Sequence, residues 1–239
     1  ITSIANSNKT GASIGKFGVG FKAVFQYTQT PHIYDPNFKF KIERFIVPIM
    51  LTDDFPGRRS DETLFVFPFD HQERDADEAY SDISDKLRNL SFPLLFLTSL
   101  NDIEFEFSNV LGLYGKNIKE TIKLDGTIAE HLILTQNAGD DLYDEDLWLF
   151  SRLDECERRY SVGFFMDKEG HLRPVNEPAF CFFPTKEVTN LNFILHAPFL
   201  LTDSREGIRA GVAHNDKMIK RLAELAADSM EYLRDIEEF

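Results

Sequence analysis

Cysteine is scarce in these 239 residues: Cys156 and Cys181 are the two present, and they form no Cys-x-x-Cys pair. The 6 histidines are scattered, with no His-Glu-x-x-His and no other ligand spacing, so a zinc site is not expected and no metal ligand is assigned. No apolar run approaches the roughly 20 residues that cross a bilayer, and no membrane partner is expected. A signal-like segment is also lacking, so both thiols are expected to be reduced in a cytoplasmic setting. Positive charge is in deficit: Lys and Arg number 26 against 40 Asp and Glu, a net charge of −14. A nonspecific duplex-binding surface needs a basic excess to release counterions, so nucleic acid is not indicated. Tryptophan (1) and methionine (4) are few beside 23 phenylalanines, which points to aromatic and aliphatic cores in one large or two modest domains.

The most informative stretch lies near the start: Ile14-Gly15-Lys16-Phe17-Gly18-Val19-Gly20-Phe21-Lys22-Ala23-Val24-Phe25. Its glycines have G-x-x-G-x-G spacing and run into an apolar, helix-compatible segment with one cation. Glycine lets backbone amides approach a ligand closely, and the amides opening a helix attract anions. Phosphate is therefore one reading, with Lys22 as a point charge; a glycine-rich turn that packs a helix is the other. A Walker loop is excluded, because Phe21-Lys22-Ala23 follows Gly20 where Lys-Ser/Thr is needed. Gly18 to Ala23 satisfies a G-x-G-x-x-A fingerprint, with Glu43 about twenty residues on. The polar run Asn6 to Ser13 stands where a buried strand should precede it, which rejects a dinucleotide site.

Ile14 to Phe25 resembles the second glycine box of the GHKL ATPases, the class of heat-shock chaperones, gyrase B, MutL, histidine kinases, MORC proteins and sacsin. The form with Lys22 is most similar to the sacsin-like and MORC-like branches. Ile4-Ala5-Asn6-Ser7-Asn8-Lys9 resembles the start of their nucleotide lid. Asp61 to Pro68 resembles the strand carrying a nucleotide-contacting threonine, here Thr63. Leu94 to Ile103 resembles the end of the nucleotide domain in sacsin-like proteins. Downstream, Ala197-Pro198-Phe199-Leu200-Leu201-Thr202-Asp203-Ser204-Arg205-Glu206 is similar to a middle-domain segment of the chaperones whose arginine reaches the terminal phosphate of ATP.

The resemblance implies an α+β architecture: the C-terminal part of a Bergerat-type sandwich over 1–108, then a transducer domain over 109–239. It implies ATP and magnesium as cofactors. Ser7, Lys9, Gly15, Gly18, Val19, Gly20, Phe21, Lys22 and Thr63 would bind nucleotide, and Arg205 would be catalytic. The glutamate base and magnesium ligand of the class come from an E-x-x-x-N helix, and the adenine-binding aspartate from a D-x-G-x-G box; neither motif occurs here, and they are expected in a preceding part. Hydrolysis is thus expected of the complete protein, with nucleotide-driven domain movement and with a client or self-association as partner. A non-catalytic scaffold of the same fold and a DNA-processing relative of the MutL, gyrase or MORC kind are the alternatives.

Local patterning adds further expectations. A helix should run from the glycine box to about Gln26, with strands within 32–50, at 63–69 and at 103–107, and an amphipathic helix over 75–90. The boundary is placed near 108. Strands follow at 118–124, 129–135, 146–153, 158–166 and 179–183, and Gly170 marks a hairpin turn. The acidic run Asp140 to Asp146 reads as a solvated linker. Phe193 to Ala197 reads as a buried strand, with His196 either a base or a hydrogen-bonded core residue. Asp203 and Glu206 have capping-box spacing, which would put Arg205 in a first helical turn, opposed to the dipole by roughly 0.3–1 kcal/mol. A last helix capped by Asn215 carries the stripe Met218, Ile219, Leu222, Leu225, Ala226, Met230, Leu233 and Ile236.

Overall fold

The computed structural model describes residues 20–108, 110–138 and 141–236 and shows a mixed α+β protein with two open sheets. Two compact units divide between Leu87 and Arg88.

In the first unit a 3-10 helix, Gly20–Gln26, follows the glycine box. Four short strands come next: β1 (His32–Tyr34), β2 (Lys39–Glu43), β3 (Val47–Met50) and β4 (Leu64–Val66), in the antiparallel order β3-β2-β1-β4. Register places Phe65, Ile33, Phe40 and Met50 on one face. Phe25, Ile33 and Ile42 are buried there, with Phe21, Val24 and Phe40 packed around them. Asp70 fastens the segment after the 3-10 helix, accepting from the Gln29 amide (2.6 Å), Thr30 Oγ1 (2.6 Å) and Thr28 Oγ1 (3.1 Å). Burial opposes the charge of Asp70, but those hydrogen bonds outweigh it and hold its carboxyl below the usual range.

Helix α1 (Ala76–Arg88) matches its predicted span, and Asp75 caps it by accepting from the Asp77 amide at 2.9 Å. On α1, Asp82 accepts from the Tyr27 hydroxyl (2.7 Å), Arg74 (2.7 Å) and Lys86 (2.9 Å). The Tyr27 hydrogen bond, followed by that from Lys86, pulls its carboxyl down to about 2.

The second unit is built on a nine-stranded sheet. Its strands are β5 (Asp102–Phe107), β6 (Val110–Leu124), β7 (Thr127–Ala138), β8 (Asp141–Leu153), β9 (Arg159–Met166), β10 (Leu172–Arg173), β11 (Pro178–Cys181), β12 (Phe183–Val188) and β13 (Ile194–His196). The order is β12-β11-β13-β9-β8-β7-β6-β5, with β10 beside β9. The hairpin expected at Gly170 is present: Gly170 has φ +88°, and the Asp167 amide donates to His171 O at 2.8 Å. Gly112 allows the Phe105 ring to lie across β6, since a Cβ there would come within 1.9 Å of it.

Both faces of this sheet are covered, which explains the near-continuous apolar run at 147–150. Leu132, Leu134, Leu147, Leu149, Phe165 and Phe180 of the sheet pack with Leu95 and Phe96. Trp148, Phe150, Val162 and Phe164 pack with helix α2 (Ala213–Ile236) through Met218, Leu222, Leu225 and Leu233. The predicted stripe is therefore largely core, but Ile219 and Met230 are exposed and Ser229 is buried in line with it. Glu155 accepts from Lys217 (2.7 Å) and from Arg221, ion pairs that tie the β8–β9 turn to α2. Arg221, then Lys217, draws the Glu155 carboxyl down to about 2.

Three sequence readings differ from this architecture. The boundary near 108 does not coincide with the division at Leu87/Arg88, because β5 pairs along its whole length with β6. The acidic run is not a linker but the start of β8. Its charges pair across the ladder: Asp144 accepts from Thr135 Oγ1 (2.7 Å), Asp146 lies 2.6 Å from His131 Nε2, and Glu145 pairs with Arg173. The capping box also fails. Residues 201–208 close a hairpin-like loop through a Leu201–Ile208 bridge, and Arg205 sits at φ +62°, outside any helix.

Candidate functional site

Ser7, Lys9, Gly15, Gly18 and Val19 lie outside the described residues. Gly20, Phe21 and Lys22 open the 3-10 helix. Phe21 points into the unit, its ring 6.1 Å from Phe65 and 6.2 Å from Phe67, so its side chain anchors the helix to the sheet. Lys22 Nζ donates to Phe45 O at 2.7 Å and lies 5.6 Å from the Phe25 ring centroid. Thr63, just before β4, donates from Oγ1 to Asp35 at 2.9 Å; the Asn37 amide and then this hydroxyl keep the Asp35 carboxyl low. The register sets these groups apart. Phe45 follows the end of β2 that pairs toward Pro31, whereas Thr63 and Asp35 lie at the Tyr34 end of β1. Lys22 and Thr63 are thus held at opposite ends of the small sheet.

In the second unit, β13 leads into the loop carrying Arg205. Arg209 N donates to Leu200 O (2.9 Å) and Thr202 N to Gly207 O (2.8 Å), which closes its neck. Asn215, 2% exposed on the first turn of α2, holds both sides of that neck. Its Oδ1 accepts from the Leu200 amide (2.8 Å), and its Nδ2 donates to Leu200 O (2.9 Å) and Arg209 O (2.8 Å). The residue read as a helix cap is in fact a clamp on the loop. Nothing in sequence spacing marks it, because its partners lie 6 and 15 positions away. Four other charges flanking Arg205 pair with one another: Asp203 with Arg209 (2.9 Å) and Glu206 with Lys186 (2.8 Å). Arg205 itself is half-buried between exposed neighbours.

The chain is similar to the protein NO VEIN of Arabidopsis thaliana. The two are 25% identical over 269 residues, covering 95% of this chain and 9% of that protein. No family model matches the chain, and no solved structure matches it.

His196 is a core residue. It is 1% exposed, stacks on Phe96 at 4.6 Å, and accepts at Nδ1 from the Phe182 amide (3.1 Å). Burial pushes its pKa down to about 3, so it is neutral at physiological pH. Among the described residues no group of three or more His, Cys, Asp or Glu could hold a metal ion, and no helix is long and apolar enough to cross a membrane. The thiols differ sharply. Cys156 is exposed, whereas burial pushes Cys181 up to about 11 and its Sγ lies 3.5 Å from Phe199 O. A maleimide at neutral pH is expected to modify Cys156 and leave Cys181 unmodified until unfolding, as read by peptide mass spectrometry.

Proposed function

We propose that this chain is part of a GHKL-type, sacsin-like ATPase: the first unit is the C-terminal part of the nucleotide-binding domain, and the second is a transducer carrying the arginine that meets the terminal phosphate. The observation that carries this reading is the Arg205 loop. A half-buried arginine stands there in a left-handed backbone conformation, on a loop clamped at its neck. Left-handed backbone costs a non-glycine residue roughly 1–2 kcal/mol; Arg205 is one of eight described non-glycine residues that adopt it, and the one that falls on the segment resembling the chaperones' phosphate-sensing arginine loop. The glycine box followed at once by a 3-10 helix is a second support. ATP would be the ligand, and nucleotide state would set the equilibrium between arrangements of the two domains. Among the described residues no group of three or more His, Cys, Asp or Glu could hold magnesium. A cytoplasmic location and a protein client or self-association belong to the same proposal.

The non-catalytic scaffold has its own observation in favour: Lys22 and Thr63 are engaged internally at opposite ends of their sheet. A DNA-processing role is disfavoured by the net charge of −14. Turnover separates these readings. The 239-residue chain alone is expected to show no magnesium-dependent ATP hydrolysis above background, and the complete protein to show it. Sustained turnover by the isolated chain would refute the assignment of catalytic groups. A complete protein that neither binds nor hydrolyses ATP would be the scaffold.

A further inference from the structure

The segment from Asn89 to Leu94 stands over strands β6, β7 and β8 and leaves a cavity of about 330 Å³ between itself and the sheet. That volume is within the range of small-molecule sites, near its lower end. The apolar part of the wall comes from Leu90, Phe92 and Leu134, while Tyr143, Glu145 and Glu177 supply polar groups. Two donors of the lining are already used: the Leu90 amide donates to the Tyr114 hydroxyl (3.1 Å), and Gln136 Nε2 donates to Arg88 O (3.1 Å).

The acceptors are not used in the same way. Glu145 is paired with Arg173, whose guanidinium also lies 5.4 Å from the Phe165 ring centroid. Glu177 is half-buried, and among the described residues no cation pairs with it. Burial, and then the charge of Glu145, push its carboxyl above the ordinary value. The lining thus carries two carboxylates, and the Arg173 guanidinium pairs with that of Glu145.

We propose that this cavity binds a primary ammonium group on an alkyl stem, with the ammonium at Glu177 and the stem along Leu90, Phe92 and Leu134. An ammonium brings three donors and no acceptor, which matches the carboxylates of Glu145 and Glu177 in the wall. A carboxylate or phosphate would meet two like charges. The same chemistry is presented by a lysine side chain of a protein and by a free diamine.

Calorimetric titration of the 239-residue chain with N-acetyl-lysine methylamide and, separately, with putrescine tests this. Saturable binding of at least one amine is expected, with shifts of the Gly115 and Gln136 amide resonances. The tighter of the two identifies the source. Glu177→Gln, nearly isosteric, should weaken binding by about tenfold or more, since a charge-assisted hydrogen bond is lost. Its thermal unfolding should be unchanged or raised, which separates loss of the site from loss of the fold. N-acetyl-norleucine methylamide, with a similar stem and no ammonium, should not bind. Absence of binding by both amines, equal binding of the norleucine derivative, or undiminished binding by Glu177→Gln would each overturn the proposal.

Discussion

Replacing Arg205 by alanine in the complete protein is expected to lower ATP turnover by on the order of 10²-fold while nucleotide affinity changes little. The expectation rests on position. A residue that meets only the terminal phosphate contributes little to holding adenine, ribose or the inner phosphates, and it acts where charge develops during transfer. The effect on the fold should be small, because Arg205 occupies φ +62° on a loop whose neck is closed by other groups. Arg205→Gly sharpens the test. Glycine relieves a left-handed strain of roughly 1–2 kcal/mol, so this variant should unfold at the same or a higher temperature and still be inactive. Steady-state hydrolysis, ADP and ATP titrations, and thermal melts are the measurements. Equal loss of ADP and ATP binding would make Arg205 a general phosphate ligand. Unfolding with normal activity per folded molecule would make it a structural residue.

Acidification is expected to destabilise the second unit from about pH 6.5 downward. His196 has a folded pKa near 3 against an ordinary 6.5. Below 6.5 the unfolded chain takes up a proton that the folded chain refuses, so stability is lost as pH falls and the loss ends only near 3. One proton corresponds to about 1.4 kcal/mol per pH unit. Between 6.5 and the 4.5 of an ordinary glutamate the loss from this one group is therefore about 2–3 kcal/mol. Glu155, drawn down to about 2, contributes its loss at lower pH, as the pH falls toward that value. Urea unfolding across this range should show the slope, and His196→Asn should flatten it. The variant also loses the stacking on Phe96, which lowers stability at every pH but leaves the slope untouched. An unchanged slope would mean that His196 titrates alike in the folded and unfolded chain.

Period-two alternation at 103–107, the turn at Gly170 and the spacing of α1 were legible in the residues because each depends on neighbours close in sequence. The acidic start of β8 was not. A run of like charges reads as solvated, and only the register of β7 and the approach of Arg173 reveal what neutralises it. The Asp203–Glu206 spacing matched a capping box, yet hydrogen bonds across the neck, which no local pattern encodes, fold the segment back on itself. For the candidate site, sequence supplied the residue types but not their destinations. Nothing in Gly20-Phe21-Lys22 says that the amine will meet Phe45 O or that Phe21 will be spent on packing.

The clamp made by Asn215 has a mechanical consequence. Because one side chain grips both strands of the neck, the Arg205 loop and the first turn of α2 move as one piece. Helix α2 is 24 residues long, about 36 Å at 1.5 Å per residue. Met218, Leu222, Leu225 and Leu233 seat that length on the sheet. The loop is thereby moored to the core of its own unit, and its geometry is inherited from a helix that cannot shift without disturbing that core.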